Sequence, residues 1–182
     1  MIPRRIVTAI GADGKAVVQS DGLPLWAKEM EHTPGFASSV VWATTAPPAI
    51  PAAKGDPTDA VTTIVPPPGE TRFLVVTFPP DSVFADPGFD FAAAGREQAE
   101  ESPGLVELFE QDNPGMHTTP TVDYGIVLDG EVWLELDDGK TVHLKEHDVV
   151  VQNGTRHAWR NKGTRPVTMA FVLIGADKMS GR

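Results

Sequence analysis

From Met116 onward the chain reads as short strands broken by turn residues, and this run limits the fold more than any other feature. VDYGIVL stops at Asp129-Gly130 and EVWLEL follows, and Asp137-Asp138-Gly139 leads into KTVHL. The stretch from Lys145 to Asp148 precedes VVVQ, Asn153-Gly154-Thr155 precedes HAWRN, and PVTMAFVLIGA closes the series. Segments this short, rich in Val and Ile and separated by Gly, Asn and Asp, cannot supply the long periodic stripes of a helix bundle. They predict an all-β chain built as one compact antiparallel sandwich or barrel, with no internal duplication.

The front of the chain is different. IVTAI, GADG and KAVVQS form a hairpin signal, and SSVVWATT and TRFLVVTF are further strand candidates. Between the last two lies APPAIPAAKGDPTDAVTTIVPPP, where proline excludes helix and leaves only VTTIV as a strand candidate. Residues 81–115 hold Arg96 against nine acids and carry most of the net charge of −10. Here FDFAAAGREQAEE and GLVELFEQ predict a helix pair split at Ser102-Pro103-Gly104, with Leu105, Val106, Leu108 and Phe109 as its apolar stripe. The expected organisation is one structural domain: strands and a Pro-rich arm over 1–80, an acidic helical segment over 81–115, and a barrel core over 116–182.

Composition removes whole classes of function. With no cysteine among 182 residues, thiolate zinc sites, iron–sulfur clusters, disulfides and cysteine nucleophiles are all absent. A metal would have to be held by nitrogen and oxygen. The acidic balance argues against nucleic acid, and no apolar run approaches a membrane span or a secretory leader, so a cytoplasmic protein without a membrane partner is expected. Neither a G-x-S-x-G elbow, a P-loop nor an H-E-x-x-H pair occurs.

Histidine is therefore the residue type to follow. In an extended strand, His117, Thr119, Thr121, Asp123, Gly125 and Val127 share one face, and His157, Trp159 and Asn161 share another. If both faces point inward, His117, Asp123 and His157 converge. Two imidazoles and a carboxylate suit a divalent metal with open positions. The same three groups without metal could bind a ligand or move protons, with Asp123 and His157 as the catalytic pair. Thr119, Thr121, Trp159 and Asn161 would line the pocket. Tyr124 falls on the opposite face, where packing is expected. His143 and His147 are expected to be exposed, and Arg156 and Arg160 solvated or paired with the acidic segment.

The stretch from Gly115 to Asn161 also resembles the two sequence motifs of the cupin superfamily, in its small single-domain branch. The first is matched by His117-Thr118-Thr119, Asp123 and Gly130, and the second by His147-Asp148, Gln152-Asn153-Gly154, His157 and Asn161. Thr119 replaces a histidine, Asp123 a glutamate, His147 a glycine and Gln152 a proline of the family pattern. The resemblance implies a jelly-roll barrel with a site at one mouth, holding a divalent transition metal such as Fe, Mn, Zn or Ni through three histidines and a glutamate. This chain offers at most three of those four ligands, in His117, Asp123 and His157. The implied activities are those of a dioxygenase, decarboxylase, isomerase or dehydratase, here on a small hydrophobic carbonyl or aromatic compound. The alternative is a metal-free or non-catalytic cupin that binds a small ligand. The early strands exceed the barrel run, and exposed edges invite pairing, so a homodimer is expected in which an early strand pairs with the partner's barrel edge.

Overall fold

The computed structural model describes residues 1–50 and 55–177. Part of the expected Pro-rich arm (51–54) and the end of the expected barrel core (178–182) lie outside them. In chain order the strands are β1 (Arg5–Ile10), β2 (Ala16–Gly22), β3 (Trp26–Glu29), β4 (Ala37–Thr44) and β5 (Thr71–Phe78). The helix α1 (Phe91–Glu101) comes next, then β6 (Thr121–Asp129), β7 (Glu131–Glu135), β8 (Thr141–Lys145), β9 (Val149–Asn153), β10 (Ala158–Arg160) and β11 (Val167–Gly175). All six strand signals after Met116 are strands.

The fold is all-β, with every strand pair antiparallel. A six-stranded sheet runs β3-β4-β5-β11-β6-β9, a three-stranded sheet runs β10-β7-β8, and β1-β2 stand apart as a hairpin. The two larger sheets face each other. Val40, Leu74, Val127, Met169 and Phe171 from one meet Val132, Leu134 and Leu144 from the other in a single buried cluster. The alternation that drives this is plain on β6, where Thr121, Asp123, Gly125 and Val127 are buried and Tyr124, Ile126 and Leu128 are exposed. Tyr124, 47% exposed, is thus on the outer face without the packing expected for it.

Asp129-Gly130 does not close a hairpin. It passes the chain from β6 in the large sheet to β7 in the small one. Gly130 has φ +91°, and a Cβ there would stand 3.1 Å from Val167 Cα, so both backbone conformation and space call for glycine.

The strand expected at 38–45 is β4, which pairs with this chain's own β5, and β5 with β11. Half of the large sheet therefore comes from before residue 81. Two expectations are corrected besides. VTTIV forms no strand; Ile64 is buried in the core and its N–H donates to Pro103 O (2.9 Å). The second helix shrinks to a 3₁₀ turn at Val106–Leu108, because Ser102-Pro103-Gly104 ends α1 and too few residues follow to propagate another.

Residues 1–5 cross the outer face of the large sheet. The Met1 amine donates to Thr77 Oγ1 (2.7 Å), Arg5 donates to Val41 O (3.3 Å) and is paired with Asp56. The helix α1 is fixed at its start by Asp90, whose carboxylate accepts from the N–H groups of Ala92 and Ala93 (3.0 and 2.9 Å). Its inner face is small, Ala93 and Ala94, followed by the buried Glu97. No helix among the described residues is long and apolar enough to cross a membrane.

Candidate active site

His117 and His157 are brought together by the backbone. Each donates its N–H to the other's carbonyl at 2.9 Å, forming an isolated antiparallel bridge outside the named strands. Directly opposed residues of such a pair project side chains on one side. The rings accordingly lie 4.4 Å apart, tilted by 49°. Both rings fold back in the same way: His117 Nδ1 lies 3.0 Å from Gly115 O and His157 Nδ1 lies 2.9 Å from Thr155 O. A carbonyl can only accept, so each Nδ1 carries the proton and each Nε2 of the neutral ring keeps its lone pair.

Asp123 reaches the same cavity from β6. Its Oδ1 is buried and has no hydrogen-bond partner among the described residues. Burial pushes its carboxyl up to about 6, with the Thr121 hydroxyl offsetting only part of the rise. Burial also lowers His117, the bond to Gly115 O opposing it. For His157, burial acts first and neighbouring His117 second, taking it down to about 4 against the Thr155 carbonyl. The site therefore keeps its imidazoles neutral and holds a carboxyl poised between its two forms.

The cavity has a volume of about 720 Å³, and His117, Asp123, His157, Thr119, Gln152 and Trp159 stand in its wall. Aromatic rings dominate the surroundings of the pair: Phe109 meets His117 edge-on at 5.1 Å and Trp159 meets His157 at 5.7 Å. Gly125 makes room inside β6, since a Cβ there would lie 3.3 Å from the Phe171 ring.

One pocket expectation differs from the structure. Thr121 is buried and donates to Thr119 Oγ1 (2.7 Å), standing behind the wall instead of in it. Asn161 borders the cavity, but its side chain is spent on structure. Its Nδ2 donates to Phe78 O and Arg165 O (3.2 and 2.9 Å), and its Oδ1 accepts from Gly163 N (3.1 Å). Arg156 is paired with Glu110 of the acidic segment and with Asp137. Arg160 is held by Glu135, Pro114 O and Asn113. His143 lies flat on Trp133 at 4.1 Å, and His147 is exposed.

Sequence reasoning missed the far wall. Phe36 and Phe78 come from the front of the chain, and Phe84, Phe89, Phe91 and Gln98 from the acidic segment. The available signal was FADPGFDF, three phenylalanines in a stretch that otherwise lacks apolar bulk. Nothing in local sequence says that this stretch lies over the barrel mouth.

A divalent transition metal needs a converging set of nitrogen and oxygen donors. Two tethered imidazoles with free Nε2 atoms are good ligands. Among the described residues, however, no three of His, Asp or Glu are grouped to hold one ion, and catalytic sites of this kind usually supply three protein ligands. As arranged, the residues do not complete the site.

Residues 104–174 match the family model Cupin_2, described as a cupin domain. Over that stretch, which carries β6 to β11, the chain is similar to the cupin domain family. The chain is 52% identical over 62 residues to Phomopsin biosynthesis cluster protein C' of Diaporthe leptostromiformis, covering 34% of this chain and 33% of that one. It is 50% identical over 74 residues to Oryzines biosynthesis cluster protein J of Aspergillus oryzae, covering 38% and 41%. It is 42% identical over 62 residues to the cupin-domain-containing oxidoreductase virC of Hypocrea virens, covering 32% of each. The chain thus spans between about a third and two fifths of the length of these curated relatives.

Proposed function

We propose that this cupin is an enzyme acting on a small, uncharged, hydrophobic carbonyl or aromatic compound by proton transfer. One observation carries the reading: an apolar cavity of about 720 Å³ holds a neutral histidine pair and an orphaned carboxyl group. Such a pocket is of drug-like size and needs few polar groups to orient its ligand. In its protonated form Asp123 donates to a substrate carbonyl oxygen, while an imidazole Nε2 accepts a proton from the adjacent carbon, giving an enol. With an α-hydroxyl on the substrate the enol is an enediol, and the imidazolium returns its proton to the other carbon while a hydroxyl proton goes back to Asp123, completing an isomerisation. With a β-hydroxyl the imidazolium protonates the departing group, which leaves as water while the enol proton returns to Asp123. The names of the relatives, two biosynthesis cluster proteins and an oxidoreductase, support a role in processing small molecules.

The test is a screen of carbonyl and phenolic compounds with the native chain and with the His117→Ala, His157→Ala and Asp123→Asn variants. Turnover that is lost in Asp123→Asn with ligand binding retained supports the reading. Binding without turnover of any compound by the native chain would make this a ligand-binding cupin. The pH profile is a second check. Activity needs Asp123 protonated and His157 neutral, so kcat/KM should be highest between about 4 and about 6 and fall on both sides.

A second reading is favoured by the free Nε2 atoms of His117 and His157. In it the two imidazoles would be ligands to Fe, Mn, Zn or Ni, with Asp123 as the third only if its carboxyl turned toward them. Metal analysis of chain purified without chelator decides between the two. Stoichiometric metal that disappears in His117→Ala and His157→Ala would establish it. The proposal also includes a homodimer, now through the β1–β2 hairpin, because β2 is exposed along its whole length and a lone hairpin is marginal in water.

A further inference from the structure

The outer part of the cavity is built from three phenylalanines that the barrel core does not use. Phe84 and Phe89 meet edge-to-face at 5.3 Å, and Phe89 and Phe91 at 4.8 Å, so the three rings form a continuous ladder. All three line the cavity that holds the histidine pair. None belongs to the core cluster, and Phe84 and Phe91 remain 38% and 66% exposed. An exposed aromatic cluster of this kind marks a binding surface.

The ladder is held from both sides by contacts it does not itself make. Upstream, Asp81 donates its N–H to Asn161 O (2.8 Å) and accepts from Asn161 N (3.0 Å). Downstream, Asp90 caps α1, and Glu97 accepts the N–H groups of Glu31 and His32 (2.8 and 2.7 Å). The rings are thus positioned over the mouth before any ligand arrives.

Charge narrows what can enter. Arg160 is the only Lys or Arg in the described lining, and its guanidinium is committed to Glu135, Pro114 O and Asn113. The segment that carries the ladder holds nine acids to one base. A carboxylate or phosphate would find no free cation here and a negative rim outside.

We infer that Phe84, Phe89 and Phe91 form a subsite for the elongated apolar tail of an uncharged ligand whose oxygen-bearing head lies at His117 and His157, and that this subsite sets chain-length specificity. The inference rests on the reading of the cavity as the substrate site.

The test is a titration of the full-length chain with straight-chain methyl ketones from 2-pentanone to 2-undecanone, followed by tryptophan fluorescence, since Trp159 lines the cavity. Binding should tighten by roughly threefold to fourfold for each methylene that reaches the ladder. In Phe84→Ala/Phe91→Ala the short ketones should bind as before and the gain along the series should flatten. Phe84→Leu/Phe91→Leu should restore much of it, which also controls for misfolding. Undecanoate should bind at least tenfold more weakly than 2-undecanone. Equal affinity across the series, or an unchanged gain in the double Ala variant, overturns the subsite while the site reading stands. Undecanoate binding as tightly as the ketone overturns the uncharged head. If no ketone binds, the site reading fails and takes the subsite with it. A double Ala variant that changes only the mass in light scattering would assign the ladder to a subunit interface and overturn the subsite.

Discussion

Asp123 and His157 pull stability in opposite directions over one pH range. Asp123 has its folded value raised from 3.8 to about 6, so its contribution is complete below pH 3.8 and lost as pH rises through 6. His157 has its folded value lowered from 6.5 to about 4, so its contribution is complete above pH 6.5 and lost as pH falls through 4. Together the two slopes largely cancel. Removing one should expose the other: Asp123→Asn should gain stability from pH 4 to 6.5, and His157→Gln should lose it. Each change should be on the order of 3 kcal/mol, at 1.36 kcal/mol per pKa unit, measured by urea unfolding at several pH values. Thr119, buried beside Asp123's face of the strand, is the other informative residue. Thr119→His would add a third imidazole donor to the wall, and metal content after purification should rise from that of the native chain. The sequence was legible here through strand parity, which put His117, Thr119 and Asp123 on one face. Parity could not reveal that Thr121 stands behind the wall or that Asn161 is consumed by backbone partners.

At the scale of elements, α1 depends on one buried carboxylate. Glu97 is pushed up by burial, but the N–H groups of Glu31 and His32, helped by the charges of His32 and Lys28, more than offset this and hold it below the usual range. Its contribution is therefore present above the ordinary glutamate value and lost as pH falls through the depressed one. Glu97→Ala would leave two N–H groups without their acceptor and should cost about 1–3 kcal/mol in chemical unfolding. It should also loosen ligand binding, because α1 carries Phe91 and Gln98 of the cavity wall. The helix itself was visible from Asp90 and the alanines that follow. Its anchor was not, since Glu97 and Glu31 lie far apart in sequence and their contact is a product of the fold. The same holds for Asp129-Gly130: the turn was plain, but its role as a crossing between sheets follows from where β7 finds its partners.

For the whole molecule, the β1–β2 hairpin joins neither larger sheet among the described residues. Ile6 and Ile10 on one strand and Val17 and Val18 on the other are exposed. If the hairpin joins two copies, light scattering at micromolar concentration should give a dimer mass. Ile6→Asp/Val18→Asp should give a monomer with an unchanged circular dichroism spectrum, since neither side chain is in the core. By itself the sequence determined the all-β class, the six-strand run, the turn positions and the face shared by the polar residues. These depend on local steric preference and on period-two burial, which neighbours in the chain can express. Only the tertiary structure decided that β3–β5 complete the large sheet, that His117 and His157 are cross-strand partners, and that the acidic segment's phenylalanines wall the cavity. Those are contacts between residues distant in sequence, set by how two sheets bury their shared apolar faces, and no local pattern encodes them.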